Sequence, residues 1–293
     1  MNAFPILQPW SRRWGMIAFV ISSILPPAIE AAEPTVDPLL NQAQAASLAG
    51  ESAKAIELAT QAIKAAPTNA QCYYVRGRLQ AGELEHAKAI ADFDQALKLE
   101  SRAPEIYQLR GIEHFKVGHI KESVADFEKF IEFAPARRPH HWQLGISYYY
   151  AGQYEKGRKL FELHQTVNPQ DVENAVWHYL CVARLEGVPK ARAGLIPIAQ
   201  DTRVPMKQIH ELFAGRMQPA EVLEAVDAGA VSAAERIERN FYAHLYIGLF
   251  YEAAGQAAQA REHIEKAAGA FPVKHYMGDV ARVHAQRLRA VER

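Results

Sequence analysis

The chain is 293 residues long, and 49% of its side chains are hydrophobic while 23% are charged. This composition is typical of a folded globular protein and excludes a disordered tail, a collagen or a membrane transporter. Its 33 basic and 33 acidic residues balance, so no basic excess exists to neutralise a nucleic-acid backbone, and we expect no nucleic-acid partner. Two cysteines are too few for a disulfide framework or a four-thiolate zinc site.

Residues 1–31 have the pattern of a secretory signal peptide. Arg12 and Arg13 precede an uncharged apolar stretch over residues 14–25, and small residues follow it. The apolar stretch is about 12 residues long, whereas a membrane-spanning helix needs roughly 20. We therefore predict an exported protein of the periplasm or cell envelope; the alternative is an uncleaved anchor, and only then would the protein contact a membrane. The first cysteine is Cys72, so the predicted cleavage site lacks a lipoprotein cysteine.

A 34-residue period governs the following part of the chain. Residues 75–98 and 109–132 share an Arg-Gly pair and an Ala-Asp-Phe triplet at this spacing. Further columns of like residues recur with the same period, namely the small residues Ala43, Gly77, Gly111 and Gly145, the small residues Ala55, Ala89, Ser123 and Gly157, and the aromatic residues Phe93, Phe127 and Phe161. Several independent columns agree, so the sequence contains structural repeats.

Each repeat predicts two amphipathic helices separated by a turn glycine, such as Gly50, Gly118 or Gly152. Small residues in both helices let their axes approach closely. One hairpin cannot bury its own apolar face, so the hairpins must stack. In the second repeat we expect the turn glycine two residues early, at Gly82.

The period weakens after Pro169 and returns near the carboxyl terminus. Residues 171–231 predict a degenerate repeat and short helices, which we place at 173–185, 191–200, 206–215 and 219–227. Ser232 followed by Glu235 has the spacing of a capping box and predicts the start of a long helix. Residues 232–293 therefore predict one further repeat, and a final helix over 278–291 serves as a cap with one soluble face.

This sequence resembles the tetratricopeptide repeat family, whose 34-residue helical hairpins show these columns. The resemblance covers residues 37–170 as four units and implies an all-α, right-handed superhelical solenoid. The segments IHELFAGRMQPAEVLEAV (209–226) and RNFYAHLYIGLFYEAAGQ (239–256) resemble the NlpI family of bacterial envelope proteins. That second resemblance implies a homodimeric, non-catalytic adaptor whose partners are peptidoglycan hydrolases and a tail-specific protease.

No pattern predicts a catalytic residue, a cofactor site or a metal site. The adjacent residues His140 and His141 follow Pro139 and fit the start of a helix, with metal binding as the alternative. Cys72 and Cys181 fall in first helices of distant units, too far apart for a disulfide, so we expect buried free thiols. We therefore predict that the chain is not an enzyme, although a polar cluster in a pocket would reopen that alternative.

The helical spacing places aromatic and apolar side chains on the concave face that first helices form in such solenoids. Aromatic residues and arginine often dominate binding energy at protein interfaces. The predicted protein-binding residues are Tyr74, Arg78, Gln108, Ile112, Phe115, Trp142, Ile146, Tyr149 and Tyr150. The alternative is that Tyr149 and Tyr150 pack against a dimer mate or against the carboxy-terminal cap. We predict an envelope scaffold or adaptor, with a subunit of another envelope secretion or assembly complex as the alternative.

Overall fold

The computed structural model describes residues 36–229 and 231–290, and every regular element in these ranges is a helix. The all-α prediction is therefore confirmed. Four hairpins come first: α1 (Asp37–Leu48) with α2 (Ser52–Ala65), α3 (Ala70–Gly82) with α4 (His86–Leu99), α5 (Pro104–Lys116) with α6 (Ile120–Phe133), and α7 (Trp142–Tyr150) with α8 (Tyr154–His164). The remaining α-helices are α9 (Val172–Glu186), α10 (Val188–Ala193), α11 (Met206–Phe213), α12 (Pro219–Ala225), α13 (Ala233–Ala253), α14 (Ala257–Glu265) and α15 (Tyr276–Ala290). A 3-10 helix (Pro135–His140) precedes α7, and a π-helical turn (Lys266–Ala270) follows α14.

The two helices of a hairpin touch where a first-helix glycine meets a second-helix aromatic ring. A Cβ atom on Gly145 would lie 2.7 Å from Cζ of Phe161. Real Cβ atoms do not come that close to a neighbour, so the ring occupies the space that a side chain at this position would need. The same arrangement recurs in two earlier hairpins, as the pairs Gly77–Phe93 and Gly111–Phe127.

A partly buried ion pair adds a second link inside two of the hairpins. Arg76 on α3 donates two hydrogen bonds of 2.7 Å to the carboxylate of Asp92 on α4. Arg110 on α5 bonds Asp126 on α6 in the same way, at 2.8 and 2.6 Å. Bidentate pairs fix the relative orientation of the two helices as well as their distance. The recurring Arg-Gly and Ala-Asp-Phe segments are therefore structural.

The turn of the second hairpin differs from the prediction. Gly82 stays within α3, and Leu84 takes the left-handed backbone with φ of +61°. Gly118, one period later in the chain, has φ of +80°, so Leu84 fills the slot that glycine fills elsewhere. The geometry of the repeat, rather than the local glycine, sets where the turn lies. A leucine in this conformation is strained because its Cβ crowds the following carbonyl.

The divergent segment forms only part of the helix predicted over 191–200. The short helix α10 ends at Ala193, and residues 194–205 are irregular. Gly194 and Pro197 interrupt the helical pattern, since glycine disfavours a helix and proline cannot donate its backbone hydrogen bond. The two short helices predicted after this segment are present as α11 and α12.

The predicted capping residue begins α13. The Ser232 side chain accepts a hydrogen bond of 3.2 Å from the Glu235 backbone N–H. Gly248 on α13 packs against Ile264 on α14, and a Cβ there would lie 2.7 Å from that side chain. This contact repeats the glycine-to-apolar packing of the earlier hairpins. The final helix, α15, begins two residues before its predicted start.

Both cysteines are free and buried, as predicted. Burial raises the pKa of the Cys181 thiol, so it stays protonated at neutral pH. A Cβ atom on Gly157 would lie 2.9 Å from the Sγ atom of Cys181. Cys181 therefore fills the close contact between α8 and α9.

Replacing Gly145 by alanine tests the glycine–aromatic contact. The added Cβ would overlap Phe161, and we expect the free energy of unfolding to fall on the order of 1–3 kcal/mol. Urea denaturation measures this change. Gly82→Ala is the matched control, because no heavy atom lies within 4 Å of its added Cβ and its φ is helical. The control should be neutral or slightly stabilising. Equal effects of the two changes would contradict the assigned contact.

Replacing Leu84 by glycine tests the strained turn. Glycine adopts positive φ without steric cost, so we expect the free energy of unfolding to rise by about 1 kcal/mol. Gly118→Ala makes the opposite change at the equivalent turn and should lower the free energy of unfolding by a similar amount. Both values come from thermal or urea unfolding. A destabilised Leu84→Gly protein would show that the leucine side chain makes a stabilising contact.

Candidate protein-binding groove

The first helices of the second and third hairpins present an accessible polar and aromatic surface. Tyr74 on α3 is half-buried and Arg78 is exposed, with its guanidinium 5.6 Å from the centre of the Tyr74 ring. Gln108 and Ile112 on α5 are half-buried. These four predicted residues are open to a partner, and we call the surface that they form the open groove.

Gln108 is held in place by the start of α7. The Nδ1 atom of His141 accepts a hydrogen bond of 3.1 Å from the Leu144 backbone N–H, which leaves the proton on Nε2. That Nε2 then donates to Oε1 of Gln108 at 2.5 Å. Burial lowers the pKa of His141 to about 4, so the ring is neutral at physiological pH. The residue predicted to start the helix does so, and it also orients one groove side chain.

The other predicted groove residues are largely covered by the rest of the chain, and α15 contacts Phe115, Trp142 and Tyr150 directly. Phe115, Ile146, Tyr149 and Tyr150 are buried, whereas Trp142 is half-buried. The carboxy-terminal helix therefore occupies the continuation of the groove along α5 and α7. The Tyr150 ring packs against His284 of this helix, as the alternative of a carboxy-terminal cap predicts, whereas the Tyr149 ring contacts Tyr154 and Trp177. The assignment of all nine residues to partner binding stays a prediction, and four of them are accessible in the open groove.

Aromatic contacts hold the beginning of α15 against the groove. The Tyr276 ring stacks on Phe115 with 5.1 Å between ring centres. It also meets the Trp142 ring edge-on at 5.2 Å. Such aromatic pairs each contribute about 0.5–1.5 kcal/mol beyond the buried area. Tyr276 therefore acts as the main aromatic anchor at this end of α15.

Buried charges flank this aromatic contact. Glu113 on α5 accepts a hydrogen bond of 2.7 Å from Nζ of Lys116 and lies 2.6 Å from Nδ1 of His86. Asp279 on α15 is also buried and is paired with Arg282. Burial raises the pKa of Asp279. The first turns of α15 thus bring a carboxyl group toward Lys116 and His86.

A chain of polar groups connects α15 to α7, α9 and α13. The Tyr150 hydroxyl and Nδ1 of His284 share a hydrogen bond of 2.8 Å, and Nε2 of His284 lies 3.2 Å from Glu252. Arg184 donates to the other oxygen of Glu252 at 2.7 Å and to the Tyr149 hydroxyl at 3.3 Å. Burial raises the pKa of Tyr150 far above its ordinary value, so this hydroxyl stays protonated at neutral pH. The arrangement fixes α15 in position.

A second polar cluster ties the irregular segment 194–205 to the repeats. The Arg203 guanidinium contacts three carboxylates, those of Asp171 at 2.7 Å, Glu173 at 2.8 Å and Asp201 at 2.6 Å. Glu173 also accepts a hydrogen bond of 2.8 Å from the Tyr246 hydroxyl on α13. Burial and the neighbouring Asp171 raise the pKa of Glu173 to about 7. Burial is the larger cause of this shift, and the single guanidinium, which three carboxylates share, offsets only part of it.

The predictions of a signal peptide, a membrane anchor and a metal site bear on different parts of the chain. Residues 1–31, the predicted signal peptide, lie outside the described residues. No helix in the described ranges is long and apolar enough to cross a membrane. Within residues 36–229 and 231–290, no group of three or more histidine, cysteine or acidic side chains is arranged to hold a metal ion.

Sequence reasoning missed the polar clusters and the partner of the buried groove residues. The apolar stripe on the last helix was visible as Val280, His284 and Leu288, but it indicated a cap without indicating which surface the cap covers. The Arg203 cluster carries no repeat signature, because its members lie in the divergent segment and its neighbours. The cluster becomes apparent only in the folded structure, where these residues lie close together.

Comparison with known proteins supports the fold. No protein-family model and no curated protein matches the sequence. A tetratricopeptide repeat protein from Parabacteroides merdae superposes with a TM-score of 0.57 at 14% identity, covering 87% of this chain and 98% of its own. MamA from Desulfovibrio magneticus, from residue 41 onward, gives 0.50 at 19% identity, with 55% and 92% covered. A further MamA structure gives 0.51 at 15% identity, with 68% and 98% covered. The chain therefore has the fold of tetratricopeptide repeat proteins.

Replacing Glu173 by glutamine tests the raised pKa. The unfolded chain releases the Glu173 proton near the ordinary pKa of 4.5, whereas the folded chain keeps it up to about 7. The free energy of unfolding of the wild type therefore falls relative to Glu173→Gln as the pH rises from 5 to 8, by on the order of 1–3 kcal/mol. Urea denaturation at both pH values measures the difference. Glu122→Gln, an exposed carboxyl on α6, is the control. Parallel pH profiles of wild type and Glu173→Gln would contradict the shift.

Proposed function

We propose that this tetratricopeptide repeat protein is a non-catalytic scaffold that binds segments of other proteins through the open groove. The observation that carries the proposal is the accessibility of Tyr74, Arg78, Gln108 and Ile112 beside a groove that α15 otherwise fills. These side chains lie on two successive first helices, so a bound segment would extend across the second and third hairpins. The chemistry offered is one aromatic ring, one cation, one amide and one aliphatic group.

The open groove has the properties of a binding surface that is ordered before binding. Arg78 lies over the Tyr74 ring, and His141 holds the Gln108 amide, so both polar groups lose little freedom when a partner arrives. Arginine and tyrosine are the residue types whose removal most often weakens an interface. The surface therefore favours recognition of a peptide that carries an acceptor group and an apolar side chain.

Export and partner identity are the finer parts of the proposal. The charge and hydrophobicity pattern of residues 1–31 supports a location in the bacterial cell envelope. The resemblance to the NlpI family supports a homodimeric adaptor for peptidoglycan hydrolases or a tail-specific protease. The alternative within the same class is a subunit of another envelope secretion or assembly complex.

The segment that carries the NlpI resemblance is mostly structural. Within residues 209–226, the apolar side chains of Ile209, Leu212, Phe213 and Val222 are fully buried. They pack α11 and α12 into the main core cluster. The resemblance in this segment thus concerns how the divergent helices pack, so partner identity must be determined by experiment.

Affinity capture from envelope extract tests the proposed role. The bait is residues 32–293, and the variant is Tyr74→Ala combined with Arg78→Ala in the open groove. We expect wild type to retain hydrolases or a protease and the variant to lose them, with the affinity of the purified pair reduced at least about tenfold. Lys88→Ala combined with Lys98→Ala changes two exposed residues of α4 and serves as the matched control.

Three outcomes separate the alternatives. Loss of partners with the groove variant and retention with the control supports the scaffold role and its surface. Retention by both variants would refute the open groove as the binding surface. Capture of only secretion or assembly components would favour the second candidate role. Substitutions of Tyr149 are unsuitable here, because that side chain is buried and its removal would disturb the fold.

A further inference from the structure

A second surface, separate from the open groove, has the volume and the side chains of a ligand site. The carboxyl ends of α7, α9 and α13 meet the last turns of α15 around a cleft of about 350 Å³. Its walls include the rings of Tyr149, Tyr150 and Tyr154 together with the side chain of Leu288. This volume lies within the range of small-ligand and peptide side-chain sites.

The charges that line this cleft do not balance. Glu252 is bonded through one oxygen to Arg184 at 2.7 Å, so these two residues form an ion pair, and its other oxygen lies 3.2 Å from Nε2 of His284 without a hydrogen bond. Burial opposes its ionisation, but His284 and Arg184 hold the pKa of Glu252 below its ordinary value. Arg287 also lines the cleft, and no carboxylate of the described residues pairs with it. Among the described residues, two arginines and one glutamate therefore line the cleft, which favours an acidic ligand.

The Arg287 side chain is positioned rather than free in solvent. Its guanidinium lies 5.6 Å from the centre of the Tyr150 ring, within cation–π range. The Tyr150 hydroxyl is in turn fixed by its hydrogen bond to His284. Arg287 is exposed, so its N–H groups are accessible, and a guanidinium can donate two parallel hydrogen bonds to one carboxylate.

We infer that this cleft, which we call the Arg287 cleft, binds an acidic side chain of a partner peptide together with a neighbouring apolar side chain. The carboxylate pairs with Arg287, and the apolar group packs on the tyrosine rings and Leu288. A cleft with a cation on an aromatic wall accommodates an acidic peptide with an apolar neighbour better than a neutral or basic peptide. The inference extends the proposed function by adding a second peptide site, and it does not require the open groove.

Binding of short blocked peptides to the purified protein tests this inference. The probes are acetylated, amidated pentapeptides with a central Glu flanked by Ala, Leu, Phe or Tyr, and each has a Gln analogue. Isothermal titration with wild type should show saturable binding of a Glu peptide with an apolar neighbour, and its Gln analogue should bind at least about tenfold more weakly. Arg287→Gln should cause a similar loss.

Arg289→Gln is the matched control, because Arg289 lies on the same helix and pairs with Glu265 instead. It should change the affinity less than about twofold. Absence of binding by every Glu peptide, equal binding of Glu and Gln peptides, or equal binding by wild type and Arg287→Gln would each overturn the inference. Tighter binding of a Gln analogue with a free carboxyl terminus than of the blocked Glu peptide would overturn it as well. Partner capture through the open groove would be unaffected by these results, so the two proposals fail separately.

Discussion

The close approach of a glycine to an aromatic ring is the contact on which the repeat architecture depends. In each of three hairpins, the second helix places a phenylalanine where a first-helix side chain would otherwise stand, as Phe161 does against Gly145. The contact sets the separation of the two helices, and hence which side chains remain on the groove-facing side. The Arg76–Asp92 and Arg110–Asp126 pairs then fix the orientation of two of these hairpins. The surface available to a partner follows from this geometry.

The carboxy-terminal helix determines how much of that surface is covered by the chain itself. α15 covers Phe115 and Tyr150 with an aromatic anchor at one end and a hydrogen-bonded histidine at the other. Its buried face includes Met277, Val280 and Ala281, and burying each large apolar side chain contributes about 1.5–3 kcal/mol. Releasing the helix would lose these contributions together, so we regard α15 as a permanent part of the core. The surfaces that remain for a partner are the open groove and the outer edge of α15, where the Arg287 cleft lies.

The sequence was sufficient to predict the hairpins, the cap of α13 and the burial of both cysteines, because each depends on local spacing. It was wrong about the turn at Gly82, where the repeat geometry imposes left-handed backbone on Leu84. It was also wrong about the full extent of the helix over 191–200. The sequence could not predict that α15 covers part of the groove, because the contacting residues Tyr150 and His284 are 134 residues apart in the chain. Periodicity identifies residues that share a face, but it does not identify what covers that face.

Hydrogen–deuterium exchange of the protein with and without a captured partner tests the central claim most directly. If α15 is permanent and the open groove binds, the amides of α15 should exchange as slowly as those of α7 in both states. Partner binding should then slow exchange in α3 and α5. Faster exchange in α15 when the partner binds would contradict the account, because it would mean that the partner displaces this helix and uses the aromatic residues beneath it.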